Sequence, residues 1–344
     1  MRTVTMIGTV AAMAGLVLAT EARAAWTDTL KIGGDLRVRI QRDMEDDKDD
    51  RDRVRVRARI GVDAQVNEFV RANVRLASGM DRDPISDNQT LTGRFDKKDF
   101  NINRAYLRVT PFEGLDLIAG KMDQPWIAVN DLVMSADAMP EGLAAKGKLA
   151  LSPMLDAMVS ASYMIYEENK TDTDVTLSTG QGALKIKPME GKDAHLLVGG
   201  GVFLWDGLTV ADPTAQEYTS VEGFAEVRLP TPIPVTVMGQ YVVNTDADDD
   251  DTGYLAGLLV GKAKDPGAFE VGYQYRYLEK HCVMPALAEN TDTGNGTDVR
   301  AHIGFIRYVL AKNFDAKLNV ALAEKGLEDG VDRQVVKLDF SAKF

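Results

Sequence analysis

Arginine occupies every second position of one short segment, and this spacing has a direct chemical meaning. The guanidinium group carries five hydrogen-bond donors and a permanent positive charge, which suit it to carboxylate and phosphate partners. In an extended chain, side chains two positions apart point to the same side. The arginines are Arg53, Arg55, Arg57 and Arg59, and the residues between them are Val54, Val56, Ala58 and Ile60. The segment therefore predicts a strand with one anion-attracting face and one aliphatic face.

Arginine is concentrated in one part of the chain. Of the 21 arginines, 14 lie between Arg37 and Arg108. The same alternation in the adjacent segments places ten of them on one face of the first four predicted strands, so we expect a basic arc. The ten are Arg37, Arg39, Arg53, Arg55, Arg57, Arg59, Arg71, Arg75, Arg104 and Arg108.

Residues suited to catalysis or to metal binding are scarce. The chain has one cysteine, Cys282, and three histidines, which excludes an intramolecular disulfide and a multi-cysteine metal centre. An enzyme of the hydrolase type would need a histidine with a serine or aspartate partner, which His195 and His302 lack in the predicted strands. We therefore expect no catalytic residues, no metal site and no cofactor. The formal charge of -12 argues against a nucleic-acid partner.

Alternation of apolar and polar residues with period two dominates the chain from residue 25 onward. The clearest case runs from Arg53 to Asn67, and a helix would scatter both sets of residues around its circumference. We count sixteen candidate strands. They start near residues 30, 52, 69, 100, 115, 143, 154, 181, 194, 218, 233, 253, 268, 298, 315 and 333.

The predicted connections alternate between short turns and long polar loops. Short links such as 111–114 and 230–234 contain proline or glycine, which are typical of tight turns, whereas loops such as 81–98 and 279–297 are long. Both ends of the chain fall on the short-turn side. The sequence therefore predicts an all-β fold: a transmembrane antiparallel up-and-down barrel of about sixteen strands with short periplasmic turns and long external loops.

The direction of the arginines follows from the cost of placing charge in lipid. A mean hydropathy of -0.18 argues against membrane-spanning helices. An arginine facing lipid at mid-depth costs about 2–4 kcal/mol, so the arginines should face the interior and the aliphatic face should contact lipid. Sixteen strands enclose a wet lumen that hydrates them. A water-soluble β-sandwich is the alternative, although a chain of this length then usually divides into domains.

The first residues are typical of an export signal. Arg2 precedes an apolar stretch, and residues 22–24 have alanine at the first and third positions, as a signal-peptidase site does. We predict a cleaved signal peptide at residues 1–24 and a single β-barrel domain at residues 25–344. An uncleaved anchor helix is the alternative.

The last predicted strand ends in an aromatic residue. The alternating residues of its apolar face are Val336, Leu338, Phe340, Ala342 and Phe344. This ending resembles the terminal strand of Gram-negative outer-membrane barrels. The resemblance implies that the barrel assembly machinery recognises Phe344.

Five short segments occur in order in the first half of the chain. They are GDLRVR at 34–39, RDRVRVRARIG at 51–61, NRAYL at 103–107, AGKM at 119–122 and PEG at 140–142. Together they resemble the putative porin family of Gram-negative bacterial outer membranes, over roughly residues 30–145. The resemblance implies a trimeric or monomeric channel, embedded in outer-membrane lipid and lipopolysaccharide, for passive diffusion of small hydrophilic solutes and ions.

The third long loop, 123–141, combines apolar and acidic residues. Porins in general fold this loop into the lumen, so we expect it to narrow the channel and to oppose the basic arc with its carboxylates. The acidic candidates are Asp123, Asp131, Asp137 and Glu141. A basic wall against an acidic loop sets a field across the pore, and the number of arginines favours anions. An external loop, or a loop in a trimer contact, is the alternative.

Two further alternatives concern charge and function. In the first, neighbouring carboxylates neutralise the wall arginines, which then confer no selectivity; in the second, the barrel is a non-conducting structural or adhesive protein. The acidic runs at 45–50 and 246–251 are expected to be solvated loops, or else to bind divalent cations that bridge lipopolysaccharide.

Overall fold

The computed structural model describes most of the chain. The described residues are 29–46, 48–80, 83–171, 173–188, 193–208, 216–328 and 330–344. The predicted signal peptide at residues 1–24 lies outside them. Within the described ranges, no helix has the length and apolar character needed to cross a bilayer.

Strands account for almost all regular structure in this part of the chain. One short 3-10 helix, Pro285–Leu287, interrupts them. The strands are β1 Leu30–Glu45, β2 Arg51–Gln65, β3 Val70–Ser78, β4 Gln89–Thr90, β5 Phe100–Phe112, β6 Leu115–Lys121, β7 Glu141–Ser152, β8 Leu155–Glu167, β9 Val175–Ile186, β10 His195–Asp206, β11 Thr219–Leu229, β12 Val235–Asn244, β13 Thr252–Gly261, β14 Phe269–Leu278, β15 Val299–Ala311, β16 Phe314–Lys325 and β17 Val331–Lys343.

Sixteen of the described strands form one closed antiparallel barrel. Each barrel strand pairs with the next one along the chain, and β1 also pairs with β17, where Val38 lies opposite Phe340. The remaining strand, β4, is two residues long and pairs with β2 beyond the end of β3. The predicted sixteen-stranded antiparallel barrel is confirmed.

The seam between β1 and β17 ends on a close contact between backbone and ring. The Gly34 amide donates to the Phe344 carbonyl at 3.0 Å, and the Phe344 amide donates to the Gly34 carbonyl at 3.1 Å. A Cβ at position 34 would clash with the backbone carbonyl oxygen of Arg59 and would lie 2.7 Å from Cζ of the Phe344 ring. Glycine is therefore required where the two ends of the barrel wall meet.

The two faces of the wall differ as the alternation predicts. On β1, Arg39, Gln41 and Asp43 are buried, whereas Val38 and Ile40 are 38% and 53% exposed. The inner face of this part of the wall is therefore polar, and the outer face is aliphatic.

Connections differ between the two ends of the barrel. Short turns join strands at one end, such as the link between β5 and β6, where Gly114 has a φ of 89°, a left-handed conformation that favours glycine. Longer connections lie at the other end. Three of them, residues 79–99, 122–140 and 279–298, contact side chains on the inner face of the wall.

Candidate functional site

The arginines beside the seam bind an aspartate of the last strand. Arg39 donates from Nε and Nη2 to the two carboxylate oxygens of Asp339, at 2.6 and 2.8 Å. Arg37 Nη1 lies 3.9 Å from the same carboxylate, and Arg37 Nη2 donates to Asn88 Oδ1 at 2.6 Å. Because Arg39 is only 6% exposed, its charge is largely neutralised by Asp339.

Three arginines of β2 also have carboxylate partners. Arg53 Nη2 donates to Asp43 at 2.6 Å. Arg57 Nη2 and Arg59 Nε donate to different oxygens of Asp35, at 2.8 and 2.7 Å. One aspartate of β1 thus serves two arginines of β2.

Two half-buried arginines of the predicted arc have neutral partners among the described residues. Arg55 donates to Ser86 Oγ at 3.4 Å and to the Asn88 carbonyl at 3.3 Å, which are long hydrogen bonds. Arg75 Nε donates to Asn103 Oδ1 at 2.6 Å. In the described part of the chain, no carboxylate lies within ion-pair distance of either guanidinium.

The remaining three arginines of the predicted arc are more exposed. Arg71 bonds to Gln65, its partner on β2, within the wall. Arg104 Nη2 lies 2.5 Å from Asp123 Oδ1 at the start of the connection 122–140. Arg108 lies 4.0 Å from Asp116 and faces the ring of Tyr106 at 5.9 Å.

The apolar residues of the connection 122–140 pack against the opposite wall. The Trp126 ring meets the Phe203 ring of β10 edge to face at 5.3 Å between centroids. Leu132 is fully buried in the same cluster as Leu255 of β13. The connection therefore crosses the barrel interior, as the sequence analysis expects.

Backbone and amide groups fix the path of this connection. The Ile127 amide donates to Gln181 Oε1 of β9 at 2.6 Å, and Asn130 Nδ2 donates to Gln274 Oε1 of β14 at 3.0 Å. The Ser135 amide donates to the Leu287 carbonyl at 2.8 Å.

The four acidic candidates of this loop have different partners. Asp123 pairs with Arg104, as described above, and Asp137 lies 3.7 Å from Arg59 Nη1. Asp131 pairs instead with Arg276 of β14, which is 1% exposed and lies outside the predicted arc. Glu141 pairs with Lys121 at 2.6 Å in the neighbouring strand. Two of the four therefore approach the arc.

The connection 79–99 contributes polar groups that the sequence analysis did not single out. Asn103 Nδ2 donates to Asp87 Oδ1 at 3.1 Å, and Arg59 Nη1 lies 3.4 Å from Asp87. Burial, reinforced by the negative charge of Asp137, raises the pKa of the Asp87 carboxyl. The segment has few apolar residues, so its sequence gave no sign of inward packing.

The connection 279–298 also enters the interior. Ser135 Oγ donates to Glu289 Oε2 at 2.7 Å, and Lys337 of β17 lies 2.5 Å from Asp292 Oδ1. Burial and then the charge of Asp131 raise the pKa of Glu289. Burial disfavours the Asp292 carboxylate as well, but Lys337 outweighs it and lowers the pKa of Asp292. The apolar residue Leu287 was the available sequence signal for this packing.

Other chemically active side chains lie beside this connection. Burial raises the pKa of the Cys282 thiol, which therefore stays protonated at neutral pH. Asp249, Asp250 and His281 bring possible metal-ligating atoms within 4.8 Å of one another, but both aspartates are exposed. These groups lie outside the arginine-lined region.

The geometry defines a closed barrel whose polar interior is crossed by inward connections, which is the architecture of porins. A high-pH structure of OprB from Pseudomonas putida matches with a TM-score of 0.62 at 10% identity, covering 92% of this chain and 95% of that chain. A triple mutant of Rhodopseudomonas blastica porin matches at 0.54 and 11% identity, covering 92% and 100%. OmpT of Vibrio cholerae, in a loop L8 deletion form, matches at 0.50 and 14%, covering 92% and 99%. At these identities the likeness establishes the fold.

Sequence comparison adds a family match over part of the chain. Residues 43–199 match the model of the putative porin family, which confirms the resemblance stated above. No protein with a curated description matches the chain.

Proposed function

We propose that this protein is an outer-membrane porin, a water-filled channel for passive diffusion of small hydrophilic solutes that favours anions. The observation that carries the proposal is an arginine-rich inner wall facing an inward connection within a closed barrel. Arg55 and Arg75 supply positive charge without a carboxylate partner among the described residues.

The outer face supports a membrane location. Val38, Ile40 and Phe340 are exposed apolar residues at the seam, and they form a continuous patch with their neighbours on adjacent strands. Soluble monomers rarely expose apolar patches larger than a few hundred Å², whereas membrane barrels carry an apolar band around the outside.

The proposed partners follow from this location. Outer-membrane lipid and lipopolysaccharide would surround the apolar band, and the assembly machinery would recognise the strand that ends at Phe344. A homotrimer is part of the proposal, and cross-linking of the protein in native membranes tests it.

Planar-bilayer recording of the purified protein tests the channel. Stepwise ohmic currents in KCl support it, and a bilayer that stays silent at all protein concentrations contradicts it. In a KCl gradient, the sign of the reversal potential tests the preference for anions, and a clear cation preference contradicts that part.

Replacement of the arginines without carboxylate partners sharpens the test. The double variant Arg55→Gln and Arg75→Gln should shift the reversal potential toward cations, because two positive charges without an ion-pair partner leave the lumen. The matched control is a second double variant, Arg42→Gln and Arg300→Gln, which removes the same charge from exposed positions outside the lumen. An equal shift in both would mean that the lumen arginines have no special role.

A non-conducting structural barrel is the second candidate. The observation that favours it is the amount of chain inside the barrel, where Trp126, Leu132 and Leu287 share one apolar cluster. Normal barrel folding together with a silent bilayer would identify this function.

A further inference from the structure

The connection 79–99 stands between two cavities near the long-loop end of the barrel. Asp83 and Ser86 line both of them. The first, which we name the rim cavity, has a volume of about 440 Å³ between this connection and the ends of β1, β2, β16 and β17. The second, the side cavity, has a volume of about 950 Å³ and lies toward β5, β6 and β8.

The rim cavity is lined only by polar or charged residues and one glycine. Its neutral hydrogen-bonding groups include Gln41, Ser86, Asn290 and Thr291. The absence of aromatic and aliphatic side chains from this described lining excludes recognition by stacking or by apolar contact. A ligand here is held by charge and hydrogen bonds.

Cations outnumber carboxylates in this lining. The six cations are Lys48, Arg51, Arg53, Arg55, Lys325 and Arg333. The four carboxylates are Asp43, Glu45, Asp49 and Asp83. Six minus four leaves an excess of two positive charges among the described lining residues.

Two of the carboxylates already serve several cations each. Asp43 accepts from Arg53 at 2.6 Å and from Arg333 at 2.7 Å. Glu45 accepts from Lys325 at 2.8 Å and from Arg333 at 2.8 Å. Their oxygens are therefore occupied, and neither forms an ion pair with Arg55, which the charges of Asp83 and Asp43 offset only from beyond ion-pair distance.

Arg55 has the features of a ligand-binding side chain. Its long hydrogen bonds to Ser86 and Asn88 satisfy the terminal nitrogens weakly, and its Nε is buried without a hydrogen-bond partner. A guanidinium in this state gains two parallel hydrogen bonds when a carboxylate or phosphate binds. The excess of two charges matches a divalent anion.

The side cavity has the opposite charge. Its carboxylates are Asp83, Asp87, Asp137 and Glu167, and its one cation among the described lining residues is Lys121. It also contains the apolar side chains of Ile102 and Met139. The charges of the two cavities therefore direct an anion to the rim cavity and away from the side cavity.

We propose that the rim cavity binds a small, highly hydrophilic polyvalent oxyanion before it enters the channel. The carboxylates or phosphates of the ligand bind Arg55 and the adjoining cations, and its hydroxyl groups bind the neutral polar lining. This site rests on the proposed function, because it names the class of solute that the channel receives. The ligand carries at least two negative charges.

Titration calorimetry on the purified protein in detergent tests the site without requiring conduction. Citrate and inorganic pyrophosphate are both polyvalent at neutral pH and distinguish carboxylate from phosphate chemistry, while gluconate is the monovalent control. Citrate or pyrophosphate should bind about tenfold more tightly than gluconate, because additional charged hydrogen bonds form. Equal affinities for all three anions would overturn the proposal.

Variants locate the site. Arg55→Gln should weaken binding of the tighter anion about tenfold, and Arg51→Gln, at an exposed position, is a second variant that tests the same lining. Lys121→Gln removes the same charge from the side cavity and should leave the affinity unchanged. Undiminished binding in both arginine variants, each folded as judged by heat-dependent gel mobility, overturns the proposal. A protein that binds citrate but gives no current would instead overturn the proposed channel.

Discussion

Two regions of the barrel interior are held together by different forces. Along β1, β2 and β17, guanidinium and carboxylate groups of neighbouring strands bind each other, as in the pair of Arg39 and Asp339. Along β9 to β13, apolar side chains of the wall contact an inward connection, as Phe203 contacts Trp126. In the charged region, ion pairs join neighbouring strands to one another. In the apolar region, side-chain packing joins an inward connection to the wall. Loss of a contact should therefore weaken the cylinder in the first region and release a connection in the second.

The largest expected effect concerns the charged region. Arg39→Ala leaves Asp339 buried without its bidentate partner, which should lower the free energy of unfolding by about 3–5 kcal/mol. Urea unfolding of the protein in lipid vesicles measures this. Arg42→Ala removes an exposed arginine of the same strand and should produce no measurable change. Equal effects in the two variants would contradict the strand-to-strand role.

The next effect concerns the apolar region. Trp126→Ala removes a buried ring, and large-to-small substitutions of this kind cost about 3–5 kcal/mol. Here the cost should appear in local opening of the connection 122–140, measured by faster hydrogen exchange there, with unchanged urea unfolding of the barrel. Leu91→Ala, at a half-exposed position, is the control. A large loss of barrel stability in the Trp126 variant would mean that the two regions are not distinct.

A smaller effect concerns the hydrogen bond between the connections 122–140 and 279–298, which meet in the apolar region. Ser135→Ala removes the hydroxyl that donates to Glu289 at 2.7 Å, with an expected cost of about 1 kcal/mol. Hydrogen exchange should accelerate in residues 279–298 as well as around position 135. Ser162→Ala removes a hydroxyl that bonds to Thr179 within the wall and should leave this exchange unchanged. Acceleration confined to residues 122–140 would contradict the inference that the two connections stabilise each other.

The smallest effect is a pH dependence of selectivity in the charged region. Because burial raises the pKa of Asp87, its carboxylate takes up a proton at a higher pH than an ordinary aspartate does. Acidification should then remove a negative charge beside Arg59 and move the reversal potential toward anions. Asp87→Asn should show this shift already at neutral pH and lose the pH dependence. An unchanged profile in that variant would assign the titration to another group.

The sequence predicted the wall of the barrel well because its signal is local. Alternation along Arg53 to Asn67 requires only that neighbouring residues point to opposite sides of a strand. The same reasoning found sixteen strands and the polar inner face. The inward path of residues 123–141 was predicted from the resemblance to porins and not from the alternation.

The sequence could not predict most partners inside the barrel. The pairing of Asp131 with Arg276 joins residues 145 positions apart, and no local pattern specifies such a contact. The buried part of the connection 79–99 is mostly polar, as at Asp87 and Asn88, with Ile85 as a buried apolar residue, so its composition resembles that of an external loop. Its position depends on arginines of another strand that require hydrogen-bond acceptors.

The seam has a consequence for how fast the cylinder forms. Arg39 and Asp339 are separated by 300 positions along the chain, so their contact closes a loop that contains all the strands between β1 and β17. Contacts of such long range slow folding because chain entropy is lost before they form. Until they form, β1 and β17 present unpaired edges that attract strands of other chains. Closure of the seam should therefore be the step at which a folding catalyst has the greatest effect on rate and on aggregation.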